Sequence, residues 1–292
     1  MFFMESVMKK RIRLLISCHD QPGIVAAIST FLNHHGANIV QSDQYSTDPE
    51  GGRFFMRVEF DQNNDSITFE ALKTAFTDVA AEYKMNWRME QASRKKRMAI
   101  FVSKEDHCLL ELLWKWHSNE LICDIPLVIS NHDELRDVVE GYGIPYYHIP
   151  VSKERKAEAE QKQIELLHQY NIDVIVLARY MQIISSHFVD TFKDKIINIH
   201  HSFLPAFIGA NPYAKAFERG VKLIGATAHF VTDDLDEGPI IEQDVLRVNH
   251  RYSVPQLRVA GRNVERVVLA RAVNWYLEDK IIVYSNKTVV FS

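Results

Sequence analysis

The first third of the chain alternates short apolar runs with segments of helical spacing. Residues 11–18 form an apolar run of strand length, after which Ile24, Ala27, Ile28 and Phe31 recur at the spacing of one helix face. The pattern then predicts a hairpin of residues 39–46 and 53–60, a helix over residues 69–79 and a strand over residues 83–89. The resulting order, βαββαβ, is the ferredoxin-like pattern.

The pattern of apolar and polar positions changes after the basic run at residues 93–97. Continuous apolar runs then alternate with helical segments, which is typical of strands that are buried on both faces. Apolar runs occupy residues 98–102, 125–129, 145–149, 174–178 and 195–200, with helices over residues 108–116 and 153–170. This alternation predicts an α/β fold with a doubly wound, mostly parallel sheet. Residues 226–231 and 240–248 predict a hairpin-like pair of strands late in the chain. Residues 254–277 predict a long amphipathic helix. We therefore predict two domains, residues 8–92 and 97–292.

Composition narrows the range of partners and compartments. The 292 residues carry a net charge of -4, which disfavours nucleic acid as a partner because phosphate binding needs a basic surface. No apolar run reaches 18 residues, and the first residues lack the pattern of a signal peptide, so we expect no membrane span. Cys18, Cys108 and Cys123 are far apart and form no CxxC motif. They predict reduced thiols in a cytoplasmic protein.

A candidate site for carbonyl chemistry lies at the end of the run at residues 195–200. Asn198 and His200 are two positions apart, so in a strand their side chains share one face, at the carboxyl end where ligands bind in such sheets. Asp236 follows in an acidic turn. An amide and a protonated imidazole can stabilise an oxyanion, and a carboxylate can move the proton of an attacking water. The apolar loop at residues 203–210 predicts a wall of the pocket.

These residues also have other interpretations. An isolated asparagine or histidine at a strand end can be structural, and carboxylates are common in solvated turns. A metal site could use His200, His201, His229 and Asp236, but neighbouring strand residues point to opposite faces, and neither HExxH nor CxxC spacing occurs. A serine hydrolase is disfavoured because GxSxG is absent. We predict no metal.

Two segments resemble the folate-dependent formyltransferase family. Residues 198–205 contain Asn-Ile-His followed by Leu-Pro, and residues 229–239 run from His-Phe-Val to Leu-Asp-Glu-Gly-Pro. Residues 177–184 resemble that family's folate-binding loop. The resemblance implies that Asn198, His200 and Asp236 are catalytic and that folate is the substrate, with no tightly bound cofactor. It also implies contacts to the pterin, mainly through backbone atoms, from Gln182, Ile184, Val231 and Asp233.

The N-terminal turn at residues 20–25 resembles that of ACT domains. This implies either a small amino-acid effector or a dimerisation module, and a homo-oligomer, dimer or tetramer, is expected. An ACT domain followed by a formyltransferase-like domain resembles the formyltetrahydrofolate deformylase family. That resemblance implies hydrolysis of 10-formyltetrahydrofolate to tetrahydrofolate and formate, which would supply formate for purine synthesis and balance one-carbon pools.

The segment at residues 103–108 bears on the formyl acceptor. Glycinamide ribonucleotide formyltransferases hold the substrate phosphate with a small-residue loop at this place, whereas this segment has no glycine and carries two carboxylates. Backbone amides cannot easily close around a phosphate there, which favours water as acceptor. Transfer of the glycinamide ribonucleotide type and a non-catalytic folate or amino-acid sensor are the alternatives.

Overall fold

The computed structural model describes residues 10–48, 50–64, 66–205 and 212–292, so most of the predicted loop at residues 203–210 lies outside the described part. Contacts divide the chain into two compact units. The first contains the chain up to Arg94 with Glu278–Ile282 and Val289–Ser292, and the second contains Lys95–Leu277 with Val283–Thr288. The functional boundaries at residues 8–92 and 97–292 stay a prediction.

The first unit confirms the ferredoxin-like order. Its elements are β1 (Lys10–His19), α1 (Ile24–His34), β2 (Ala37–Ser46), β3 (Arg53–Gln62), α2 (Phe69–Glu82) and β4 (Asn86–Gln91). The antiparallel sheet has the order β2-β3-β1-β4. One apolar cluster, from Ile12 on β1 to Phe76 on α2, fills the space between the sheet and the helices. Gly23 joins β1 to α1 with a φ of 95°, a left-handed conformation that glycine adopts without strain.

A buried arginine explains why a C-terminal segment belongs to the first unit. Arg57 on β3 is 1% exposed, and its guanidinium contacts Glu59 at 2.7 Å. It also donates to the carbonyl oxygens of Asp279 at 3.0 Å and Glu278 at 3.2 Å. Because a buried cation is costly unless its donors are satisfied, these carbonyls complete the environment that Arg57 needs.

The second unit confirms the mostly parallel sheet. Its strands are β5 (Lys96–Val102), β6 (Cys123–Ser130), β7 (Tyr146–His148), β8 (Val174–Leu177), β9 (Ile196–His200), β10 (Leu223–Phe230) and β11 (Ile240–Arg247). Their order is β11-β10-β9-β8-β5-β6-β7, and β10 is antiparallel to both of its neighbours. The helices are α3 (His107–His117), α4 (Arg136–Glu140), α5 (Lys156–Gln169), α6 (Ser186–Thr191), α7 (Pro212–Arg219) and α8 (Val254–Leu277). The strands β12 (Ile281–Tyr284) and β13 (Lys287–Val290) pair separately near the chain end.

The strand order places a crevice at the carboxyl ends of the parallel strands. The chain runs outward from β5 to β7 on one side and continues from β8 to β9 on the other, so the topological switch lies between β5 and β8. Ser103, directly after β5, donates to Asn131 at 2.7 Å and accepts a bond from the Met181 amide at 2.9 Å. These bonds fix the loops around the crevice. Among the described helices, none is both long and apolar enough to cross a membrane.

Candidate active site

A cavity of about 570 Å³ lies at the carboxyl ends of the parallel strands, within the second unit. The predicted catalytic residues reach it from β9 and from the loop after β10. The predicted folate-contacting residues reach it from the loops after β8 and β10. The cavity is lined, among others, by Asn198, His200, Asp236, Gln182, Ile184, Val231 and Asp233. The fold therefore brings together side chains from positions more than 50 residues apart, while the roles assigned to them stay a prediction.

His200 and Asp236 form a close pair in the cavity wall. His200 Nδ1 lies 3.2 Å from Asp236 Oδ2, and His200 is 5% exposed. The hydrogen bond from His200 lowers the pKa of Asp236, although burial alone would raise it. Asp236 is therefore a carboxylate that holds the Nδ1 proton of His200. His200 Nε2 is buried and has no hydrogen-bond partner within the described residues, which leaves it available to a ligand in the cavity.

His229 on β10 orients the amide of Asn198. Its Nδ1 lies 2.9 Å from the carbonyl oxygen of Phe230, a pure acceptor, so Nδ1 carries a proton. Burial lowers the pKa of His229, so the ring is neutral and Nε2 is an acceptor. Asn198 Nδ2 lies 3.2 Å from that Nε2 and donates to it. One amide hydrogen is thus fixed, and the second is available to the cavity. The 3.7 Å approach of Nε2 to Asp236 is accordingly not an ion pair.

The backbone of residues 236–239 sets the position of Asp236. Asp236 has a φ of 60°, in the left-handed region that aspartate tolerates better than most side chains. Two residues later, Gly238 packs directly on β10, because a Cβ placed there would lie 1.8 Å from the carbonyl oxygen of Phe230. Phe230 also donates its amide to the carbonyl of Pro239 at 2.9 Å. This close approach holds the loop against the strand that carries His229.

A second wall of the cavity is centred on Glu265 of α8, which is 1% exposed. Its carboxylate accepts from Tyr213 at 2.7 Å, contacts His107 Nε2 at 2.8 Å and pairs with Arg179 at 3.5 Å. Burial would raise the pKa of Glu265, but the bond to His107 and the charge of Arg179 lower it to about 2. His201 completes this wall. Its ring stacks on His200 with centroids 5.1 Å apart.

Several residues of these walls were not predicted, and one argument about them was wrong. His200 and His201 do not point to opposite faces, because β9 ends at His200 and strand alternation stops there. His229 was considered only as a metal ligand, and Glu265 and Tyr213 were not identified. A signal for Glu265 existed, since it shares the helix face of Leu257 and Gly261, where a carboxylate is out of place.

The segment at residues 103–108 lines the cavity only in part. Of its two carboxylates, Glu105 lines the cavity, whereas Asp106 is the residue before α3. Glu105 lies 3.0 Å from Arg262, which offsets its charge. The expected repulsion of a phosphate by two acids is therefore weaker than the sequence indicated, while the absence of glycine from the segment is unaffected.

The ligand atoms of His107, Cys108 and Glu265 lie within 4.8 Å of one another, close enough to share a metal ion. The donor chemistry is poor for one. Glu265 already accepts from Tyr213 and pairs with His107 and Arg179. Burial also raises the pKa of Cys108 well above its ordinary value, which disfavours the thiolate that a metal would bind. These residues fit a closed hydrogen-bond network better than a metal centre.

Comparison with known proteins assigns both units. Residues 96–273 match the formyl transferase family and residues 12–77 match the ACT domain. Formyltetrahydrofolate deformylase of Bacillus subtilis (strain 168) is 60% identical over 280 residues, which cover 96% of this chain and 93% of the relative. This chain belongs to the formyltetrahydrofolate deformylase family.

Solved structures agree with this membership. A formyltetrahydrofolate deformylase from Pseudomonas syringae pv. tomato aligns with a TM-score of 0.94 at 48% identity and covers 98% of this chain and 96% of its own. Glycinamide ribonucleotide transformylase 1 from Symbiobacterium toebii aligns with a TM-score of 0.64 at 26% identity, covering 71% of this chain and 98% of its own. The fold is therefore shared with formyltransferases, whereas the similarity to the deformylase extends over nearly the whole chain.

Proposed function

We propose that this chain hydrolyses 10-formyltetrahydrofolate to tetrahydrofolate and formate. The observation that carries the proposal is the pair formed by His200 and Asp236, with His200 Nε2 unpartnered among the described groups and beside the amide of Asn198 at the cavity. Relatives named formyltetrahydrofolate deformylase support the same reaction. In this proposal Gln182, Ile184, Val231 and Asp233 contact the pterin, mainly through backbone atoms.

The proposed mechanism assigns one role to each catalytic residue. Water attacks the formyl carbon, and Asp236 takes one of its protons as the new carbon–oxygen bond forms. Asn198 and a protonated His200 donate hydrogen bonds to the oxyanion, a contribution of about 3 kcal/mol for a well-placed donor. Asp236 then returns the proton to N10 of the folate as the carbon–nitrogen bond breaks. The products are tetrahydrofolate and formic acid, which becomes formate by releasing its remaining proton to solvent. These steps use no tightly bound cofactor and no metal.

The test is release of formate without an amine acceptor. Purified protein with 10-formyltetrahydrofolate in buffer is expected to form formate and tetrahydrofolate in equal amounts. A coupled formate dehydrogenase assay measures the formate, and absorbance measures the tetrahydrofolate. A strict requirement for glycinamide ribonucleotide would instead support transfer of that type. Tight folate binding without turnover would support a sensor. Cells lacking the protein would then test the proposed cytoplasmic role, in which formate supplies purine synthesis and one-carbon pools are balanced.

We also propose that the first unit regulates the enzyme or assembles it into a homo-oligomer, a dimer or tetramer. Two features support assembly. Strand β2 lies at the edge of its sheet, and its Ile39, Val40 and Tyr45 are exposed. An amino-acid effector is expected to change the rate of formate release when each amino acid is added singly. An unchanged rate with all of them, together with a stable oligomer by light scattering, would leave assembly as the role.

A further inference from the structure

His201 faces the cavity beside the catalytic histidine, yet the proposed mechanism gives it no role. Its ring stacks on His200 with centroids 5.1 Å apart and planes 26° apart. Tyr213 also contacts the ring of His201, with centroids 6.3 Å apart. The ring nitrogens of His201 have no hydrogen-bond partner in the described ranges of the chain. An unused imidazole nitrogen therefore lies in the wall next to the proposed oxyanion site.

The ring of His201 is held by a series of buried contacts. Tyr213 packs against Gly261 so closely that a Cβ on the glycine would lie 1.9 Å from the tyrosine hydroxyl oxygen. The same hydroxyl donates to Glu265 at 2.7 Å. Glu265 is in turn fixed by His107 at 2.8 Å. The orientation of Tyr213 is thus determined from two directions, and the ring of His201 contacts both Tyr213 and His200.

The surroundings keep His201 neutral. Burial and the charge of Arg179 lower the pKa of His201 to about 4, with a smaller effect of His200 in the same direction and opposing effects of Glu265 and Asp236. At neutral pH the imidazole is therefore uncharged, and one of its nitrogens is a hydrogen-bond acceptor. A cation at this position would also oppose the charge that the proposed mechanism requires on His200.

We propose that His201 accepts a hydrogen bond from the attacking water and so fixes its orientation; this rests on the proposed function. Water has two hydrogens. One points to the carboxylate of Asp236, which takes it as the carbon–oxygen bond forms. The other stays on the oxygen and points to His201. With both hydrogens directed to acceptors, a lone pair of the water is directed at the formyl carbon. Tyr213 and Glu265 are positioning residues that act through the ring of His201.

The experiment replaces His201 in the full-length protein by phenylalanine and by glutamine. Phenylalanine keeps a ring that can stack but removes the acceptor nitrogen. Glutamine returns an acceptor oxygen. For His201→Phe we expect kcat for formate release to fall about 100-fold, the size of effect that lost orientation produces. For His201→Gln we expect recovery to within about 10-fold of the parent, since the acceptor is restored without the stacked ring. Tetrahydrofolate binding by calorimetry and KM are expected to change little in both variants.

The outcomes separate this proposal from the proposed function. If the parent protein releases no formate, the proposed function fails. If the parent is active and His201→Phe keeps its kcat, the assignment of His201 is overturned. Equal losses in both variants, accompanied by weaker tetrahydrofolate binding, would show that His201 only shapes the pocket, which also overturns it. A loss of kcat in His201→Phe that His201→Gln partly restores supports the proposal that His201 orients the attacking water.

Discussion

Replacing Asp236 by asparagine is expected to lower kcat for formate release by about 1,000-fold, because loss of a positioned acid or base typically costs 100- to 10,000-fold. In the proposed mechanism, the variant removes the group that takes the proton of the water. It also removes the charge that holds His200 through the 3.2 Å contact. The backbone is little affected, because the φ of 60° at this position suits asparagine as well as aspartate. Tetrahydrofolate is therefore expected to bind with nearly unchanged affinity by calorimetry.

The matched control is Glu237→Gln, which removes a charge from the adjacent, exposed residue that does not line the cavity. It is expected to keep the parental kcat. His200→Ala is expected to lose as much turnover as Asp236→Asn, and the double variant little more, because residues that act as a unit are not additive. Near-normal turnover in Asp236→Asn or His200→Ala would refute the proposed roles. Parallel losses of activity and tetrahydrofolate binding would indicate a structural role instead.

The fold was largely predictable because its strands and long helices differ in hydrophobic pattern. Residues 98–102 are completely buried on both faces in β5, which explains why they form an unbroken apolar run. The last long helix was predicted with the bounds that the structure has, Val254–Leu277. The short helices α4 and α6 were missed, since five or six residues make too few turns to show a period. The hairpin of β12 and β13 was also missed, since strands of four residues are too short to show a clear alternation of apolar and polar positions.

The candidate site was predictable where its residues lie together in sequence or at the end of a strand. Asn198 and His200 are two positions apart on β9, and their shared face follows from strand geometry. The wall around Glu265 was not predictable in this way. Its contacts join α8 to His107, which is 158 positions away, and to Tyr213, which is 52 positions away. Periodicity tells which face of a helix is buried but not which loop it meets.

Adding a methyl group at Gly238 is expected to lower both stability and activity, although the residue is not among those that line the cavity. A Cβ there would lie 1.8 Å from the carbonyl oxygen of Phe230, which is backbone and cannot rotate away. In Gly238→Ala the loop must therefore move off β10. Overpacking of this kind costs about 1–3 kcal/mol, so the melting temperature is expected to fall by about 5 °C. Because Asp236 is only two residues away, its carboxylate moves with the loop. A displacement of about 1 Å can cost about 100-fold in rate, and we expect a kcat loss of that size.

A matched control separates this effect from a general cost of alanine. Gly141 ends α4 with a φ of -60° and a ψ of -24°, a helical conformation that alanine adopts readily. A Cβ there would lie 3.2 Å from the carbonyl oxygen of Asp137, a contact that a shift of a few tenths of an ångström relieves, whereas the 1.8 Å contact at Gly238 cannot be relieved in this way. Gly141→Ala is expected to leave kcat and melting temperature close to those of the parent. Differential scanning calorimetry and the formate assay measure both variants. If Gly238→Ala kept the parental kcat while its melting temperature fell, the loop could shift without displacing Asp236, and the close approach at Gly238 would serve stability alone. If the melting temperature were also unchanged, the contact between this loop and β10 would not constrain the site.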